Sequence, residues 1–142
     1  MNDQEILSAG FLLIFTIIVL IIAIIVIAGM WKVFEKAGQQ GWKAIIPIYN
    51  IYILTKIAGK PGWWTLLCCI PYLNIVFIVW LYNMISKSFG KSEGFTVGLV
   101  FLGIIFWPIL GFGNAHYLGP FGNQAAFHEY QSRKIGFDFE NK

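Results

Sequence analysis

Hydrophobic residues in this chain come in long uncharged blocks, not in the two-residue alternation of a half-buried strand. Residues 6–31 carry no charge over 26 positions. As a helix rising about 1.5 Å per residue, that block reaches about 39 Å, beyond the ~30 Å hydrocarbon core of a bilayer. Residues 61–86 form a second uncharged block, and 95–112 a third that contains Pro108 near its end. The pattern predicts an all-α membrane protein with three transmembrane helices, about 7–31, 63–85 and 95–112. One short interfacial or re-entrant helix joins them, and four spans is the alternative. The helical membrane domain is then 1–112, and 113–142 is a cytoplasmic tail with a short helix near 123–133.

The first block does not read as a cleavable signal peptide. Its start carries Asp3 and Glu5 and no lysine, and its apolar core is too long. It reads as a retained anchor. The stretch 45–58 is the piece that separates three spans from four. It is apolar but holds Pro47, Asn50 and Lys56, and runs of 10–14 residues suit an interfacial or re-entrant segment. A helix starting at Pro47 is expected, because proline suits the first turn. Helical spacing puts Tyr49, Tyr52 and Lys56 on one face, with Asn50 elsewhere. The segment is expected to dock in a groove between spans two and three with Asn50 turned inward. Asn50 then either pins the loop to its own chain or holds a partner beside Tyr49 and Tyr52.

Lysines orient the spans. Three spans place Lys32, Lys36, Lys43, Lys56 and Lys60 on one side and Lys87 and Lys91 on the other. The positive-inside rule then puts the amino terminus outside and the carboxyl terminus in the cytoplasm of a bacterial inner membrane. Aromatic belts fit this: Trp31, Trp63, Trp64 and Trp107 at inner ends, Trp80 and Tyr82 near the outer end of span two.

Composition agrees with the pattern. The chain is 58% hydrophobic, 18% aromatic and 12% charged, with mean hydropathy +0.70. A chain of 142 residues cannot bury that much apolar surface in water, and the aromatic content excludes intrinsic disorder. A net charge of +3 is too mild to imply nucleic acid.

The chemistry-bearing residues are sparse. Cys68 and Cys69 are adjacent, point apart on a helix, and lack metal-ligand spacing. His116 and His128 have no third ligand nearby. Ser86-Lys87-Ser88 offers a nucleophile and a base only superficially and reads as a solvated loop. No predicted span carries an ionisable residue, as proton relays and ion paths normally do. No cofactor and no catalysis are expected. Asn74, inside span two, either hydrogen-bonds a neighbouring helix or contacts a solute. Pro71 bends that span. Gly94 and Gly98 form a GxxxG pair, and with Gly103 give span three a face for close helix approach.

Two echoes run through the sequence. Ile46-Pro47-Ile48-Tyr49-Asn50-Ile51 resembles Ile70-Pro71-Tyr72-Leu73-Asn74-Ile75. A lysine followed by glycines and an aromatic recurs at Lys36-Ala37-Gly38 with Gly41-Trp42, at Lys56 and Gly59 with Gly62-Trp63, and at Lys87 and Gly90 with Gly94-Phe95. Either a helix-loop unit is duplicated, or the same interfacial chemistry recurs.

Trp31, Lys36-Ala37-Gly38, Gly41-Trp42, Ile46 to Asn50, Lys56-Ile57, Pro61, Trp63-Trp64-Thr65, Ile70-Pro71, Asn74 and Phe89-Gly90-Lys91 resemble the amino-terminal membrane domain of signal peptidase I in Bacteroidetes. They also resemble a family of small stand-alone bacterial membrane proteins of unknown function built on that domain. The resemblance covers roughly residues 10–117. The peptidases' serine–lysine domain has no counterpart here, so their activity does not transfer. What the resemblance implies is a cytoplasmic end for the domain and a place near protein export or signal-peptide processing. The expected function is a non-catalytic module embedded in the bilayer that binds or scaffolds another membrane protein of the secretion pathway, or itself. Its surface is Pro47, Tyr49, Asn50, Tyr52, Lys56, Pro71, Asn74, Gly94 and Gly98. The alternative is a small oligomeric transporter or channel component.

Overall fold

A computed structural model describes residues 1–140. Their regular elements are all helical: α1 Asp3–Lys36, α2 Tyr49–Ala58, α3 Trp64–Cys69, α4 Leu73–Ser88, α5 Glu93–Phe101, α6 Gly103–Phe112 and α7 Gln124–Glu140, with a 3-10 turn at Gly41–Ala44. Among the described residues α1 alone is long and apolar enough to cross a membrane; α4 and α6 are apolar but shorter.

Helix α1 starts on a capping box, in which the Asn2 side chain accepts from the Glu5 amide and the Glu5 carboxylate accepts from the Asn2 amide. Its 34 residues reach about 51 Å. The first half is exposed on all sides, and only Gly29, Val33 and Phe34 are buried. Those three sit near its carboxyl end, where α1 packs on α6 and on the 3-10 turn.

The helices expected over 63–85 and 95–112 are each broken. Between α3 and α4 the chain turns at Ile70-Pro71-Tyr72, with Tyr72 at φ 69°, ψ −44°. The turn folds α3 back on α4: the Trp64 ring meets Phe77 at 5.3 Å and Trp80 at 5.4 Å. Trp64 and Trp80, expected at opposite membrane faces, are neighbours. Likewise Tyr82 meets Trp107 edge-on at 5.4 Å. Between α5 and α6 the break is Leu102. A straight helix would hold Gly98 and Phe106 about 12 Å apart. Here the Phe106 ring occupies the space where a Gly98 side chain would stand, and its centroid lies 5.0 Å from that of Phe95. The chain bends sharply, and α5 and α6 make a V.

Chain direction follows from these contacts. Helix α5 runs antiparallel to α4, since Thr96 bonds Asn83, Ser86 bonds the Ser92 carbonyl and Lys87 pairs with Glu93. The carboxyl ends of α2 and α4 are laced together by residues 117–122. The Leu118 amide donates to the Ser88 carbonyl at 2.7 Å, the Gly122 amide to the Ala58 carbonyl at 2.7 Å, and the Tyr117 hydroxyl to the Ile57 carbonyl at 2.6 Å. Carbonyls in the last turn of a helix have no partner within it, and this strap supplies one. Lys36, at the end of α1, donates to the carbonyls of Leu110 and Gly113 at the end of α6. Only a few residues separate Gly113 from the strap. The carboxyl ends of α1, α2, α4 and α6 therefore share one pole, and the intervening segments form three consecutive hairpins.

That arrangement does not divide the lysines as three through-going helices would. Lys60 follows the same strapped corner as Ala58, and Ser88 and Lys91 adjoin it, so the two lysine groups are not separated by a through-going helix. The tail, too, is more than a surface appendage: residues 117–122 close the polar pole, and α7 is longer than the helix expected over 123–133. It starts where the Asn123 side chain accepts from the Ala126 amide, and the Tyr130 ring packs on Tyr117 at 5.3 Å.

Both sequence echoes have structural counterparts. Ile48 (φ 65°, ψ −48°) matches Tyr72. The Tyr49 amide donates to the Pro47 carbonyl at 2.7 Å, and Leu73 to Pro71 at 2.9 Å, two γ-turns of the positive-φ kind. Asn50 and Asn74 donate their amides to Ile46 and Ile70. Helix α2 thus begins at Tyr49, past the turn, and not at Pro47. At the other ends, Gly38, Gly59 and Gly90 take φ of 78°, 83° and 73°. The amides of Gln39, Lys60 and Lys91 reach back to Phe34, Thr55 and Ser86. These are Schellman caps, which glycine permits because it has no Cβ.

Candidate functional site

The expected surface on α2 is present as a column of rings. Trp42, from the 3-10 turn, stacks on Tyr49 at 6.4 Å, and Tyr49 stacks on Tyr52 at 5.9 Å. The Lys56 ammonium lies 4.8 Å from the Tyr52 ring centre, a cation–π geometry. The one-turn spacing of Tyr49, Tyr52 and Lys56 produces the column, and the turn before α2 adds Trp42. Gly62 gives Tyr52 its place, since a side-chain carbon there would stand 2.6 Å from the ring. Trp42 and Lys56 are exposed, and the two tyrosines are half-buried.

Asn50 points away from this column and donates to the Ala44 carbonyl at 3.4 Å. It ties the turn to its own chain. Helix α2 rests on α3 and α4, so the expected groove between spans two and three is not its seat. Pro47 and Pro71 are exposed at their turns, and Asn74 is half-exposed, with no side-chain hydrogen bond among the described residues. The two turns belong to successive hairpins, so Pro71 and Asn74 are not part of the α2 column.

The glycine face is relocated. Gly94 is exposed, and a side-chain carbon placed there would have only the Ser92 hydroxyl within 4 Å. Gly98 is buried, but against the Phe106 ring of its own hairpin. The close helix approach lies elsewhere: a Gly29 side-chain carbon would stand 2.7 Å from the Pro108 backbone, and one on Gly111 would overlap the Gly29 carbonyl. Single glycines this far apart in sequence give no spacing signal, which is why the pattern does not pick them out.

A groove of about 410 Å³ lies between α4 and α5, lined by Val76, Val79, Trp80, Asn83, Thr96 and Val97 with Glu93 at its edge. Among its polar groups are the Glu93 carboxylate, the Asn83 amide and the Thr96 hydroxyl, which donates to the Asn83 carbonyl oxygen at 3.1 Å. Asn83 lies in an uncharged run where a lone amide gives no spacing signal, and its pairing with Thr96 depends on the Gly90 corner.

Ser86 and Ser88, read as a solvated loop, are fully buried in the last turn of α4. The Ser86 hydroxyl donates to the Ser92 carbonyl, and the Ser88 hydroxyl accepts from the Phe121 amide. They serve the corner and the strap. At the same pole, past the uncharged run 6–31, burial and the nearby charge of Lys91 lower the Lys36 pKa. Hydrogen bonds from Lys32 and Trp31 hold the Glu35 carboxyl below its ordinary value. Among the described residues no three histidine, cysteine or carboxylate side chains gather as a metal site would require.

The fold and this surface define a small all-helical protein with one membrane-length helix and hairpins joined at a polar pole. The chain belongs to the family of unknown function DUF5684, whose model matches residues 42–120, from Trp42 at the head of the ring column to Pro120 in the strap. No curated protein and no solved structure matches it.

Proposed function

We propose that the protein is a non-catalytic module of the bacterial inner membrane that binds another membrane protein through the ring column on α2. Helix α1 anchors it, with the acidic amino terminus outside and the lysine-bearing pole in the cytoplasm, in keeping with the positive-inside rule. The observation that carries the reading is the stack Trp42–Tyr49–Tyr52–Lys56. It is partly exposed, and tryptophan and tyrosine are enriched among the residues that anchor interfaces. A place beside the protein-export machinery rests on the sequence resemblance alone. The test is co-purification from detergent-solubilised membranes with an affinity-tagged chain. Trp42→Ala and Tyr49→Ala should lose a secretion component that the unaltered chain recovers, with the melting temperature unchanged in the exposed Trp42→Ala variant. Recovery that persists in both variants removes the column from the binding surface.

The groove at Asn83 and Thr96 favours a second reading, a subunit of an oligomeric transporter or channel. Solute flux in liposomes that Asn83→Leu abolishes would decide for it.

A further inference from the structure

We infer that the three hairpins are re-entrant: they enter one leaflet of the bilayer from the lysine pole and return to it, so that α1 makes the one crossing and the tips are surrounded by the acyl chains of that leaflet. The inference rests on the membrane reading above and deepens it. It also replaces two of the three expected spans.

Length is the first support. Helices α2 and α6 have 10 residues each and α4 has 16, about 15 and 24 Å, against a core of ~30 Å. Register is the second. Gly29 of α1 lies against Pro108 and Gly111 of α6, and Lys36 against the end of α6, so the two helices point the same way. Towards the opposite pole α1 continues for 26 residues beyond Gly29, about 39 Å, while α6 has 8 before Gly111, about 12 Å. Helix α1 runs through, and the V of α5 and α6 stops part-way.

The distribution of side chains is the third. The tips expose Ile46 and Ile48, Ile70 and Leu73, Phe101 and Leu102; 44–55 and 61–86 carry no charge, nor do 94–112, and the cation nearest a tip is Lys43, on the limb that leads to the first one. Lys36, Lys60, Lys87 and Lys91 stand at the other pole, and the last three lie over the rings of Trp64, Phe121 and Phe95. With re-entrant hairpins all four lysines face the cytoplasm, which satisfies the positive-inside rule without dividing them.

The backbone of the tips is the fourth. Irregular backbone at membrane depth must find its hydrogen bonds inside the protein. At the first two tips proline removes one amide altogether. The γ-turn and the bond behind it then satisfy the first two amides of each following helix, Tyr49 and Asn50 in one, Leu73 and Asn74 in the other. The positive φ at Ile48 and Tyr72 is a conformation that side chains other than glycine rarely adopt. Here it closes the turn on these bonds and leaves the Ile48 and Tyr72 side chains exposed.

The test uses the full chain expressed in bacteria, in a Cys68→Ala/Cys69→Ala background, with a single cysteine at Asn2, Lys60 or Lys91. On spheroplasts an impermeant maleimide should label Asn2→Cys and spare both Lys60→Cys and Lys91→Cys, which label together once the membrane is opened. Acylation of the unaltered chain with an impermeant amine reagent, read by mass spectrometry at Lys60 and Lys91, gives the same sidedness without any substitution. Lys60 and Lys91 on opposite sides would overturn the inference while leaving the membrane reading intact. Nitroxides on Ile48→Cys and Tyr72→Cys in liposomes should be relaxed by oxygen and not by a water-soluble nickel chelate; relaxation by the chelate at both overturns it. A chain absent from the membrane fraction removes both readings.

Discussion

Gly29 and Gly111 bring α1 and α6 together backbone against backbone, with the Gly29 carbonyl occupying the space of a Gly111 side chain. A backbone obstacle cannot rotate aside as a side chain can. Gly111→Ala should therefore force the helices apart and cost about 1–3 kcal/mol, the usual penalty of overpacking. Gly94→Ala, in open space, is the control and should hold or raise stability slightly, because alanine favours helix. Thermal unfolding in detergent micelles measures both; equal melting temperatures would show that α1 does not pack on α6 in solution.

Lys36 gives α6 its carboxyl-terminal cap from a distant part of the chain, donating at 2.8 Å to both the Leu110 and Gly113 carbonyls. Lys36→Met keeps the stem and loses the charged donors. The expected loss is about 1.5–3 kcal/mol, as for hydrogen bonds to charged groups. Faster amide exchange in α6, with α2 unchanged, would locate it.

Tyr117 is held protonated by burial, and by its neighbour Tyr130, so its pKa in the folded chain is raised above the ordinary 10.0. Above pH 10 the unfolded chain loses this proton while the folded chain keeps it. The contribution to stability is thus complete below pH 10 and falls as pH rises from there. Tyr117→Phe should be less stable at neutral pH by about 0.5–1.5 kcal/mol, for the lost bond to Ile57. It should also melt with a flatter pH dependence above pH 10 than the unaltered chain. Parallel alkaline slopes would refute the assignment.

The Thr65 hydroxyl is buried in α3 without a hydrogen-bond partner among the described residues. Burying an unpaired hydroxyl costs about 1–3 kcal/mol by mutational measures. Thr65→Val retains the shape and removes the polar atom, and should raise the melting temperature. A fall would show that the hydroxyl is paired in the folded protein.

Helix content and the long apolar helix α1 were legible in the sequence, because an uncharged run such as 6–31 admits few other forms. The ring column was legible as well, since Tyr49, Tyr52 and Lys56 follow helical spacing. Chain direction was not. Hydropathy sums over 61–86 regardless of whether the chain goes on or doubles back, and the reversal occurs at Tyr72, where no glycine marks the positive φ. Pro71 suggested only a bend. The repeated Ile-Pro turns and the recurring glycines were visible as an echo, whose meaning as matching turns and caps depends on backbone angles. Gly29 with Gly111, and Asn83 with Thr96, are pairs made by the hairpins, so no local spacing announces them.

The contact between Lys36 and Gly113 spans 77 positions, and this separation sets an order of assembly. A ribosome adding about 5–20 residues per second delivers Gly113 roughly 4–15 s after Lys36. During that interval α1 is already made, with its Gly29 surface uncovered. Each hairpin closes on neighbours emerging just before it and can form as it appears, whereas the Gly29 face of α1 must wait for the last hairpin helix. Helix formation and final packing are thereby separated in time, and a chain stalled before α6 is left with two hairpins and a long apolar helix whose Gly29 face is still uncovered.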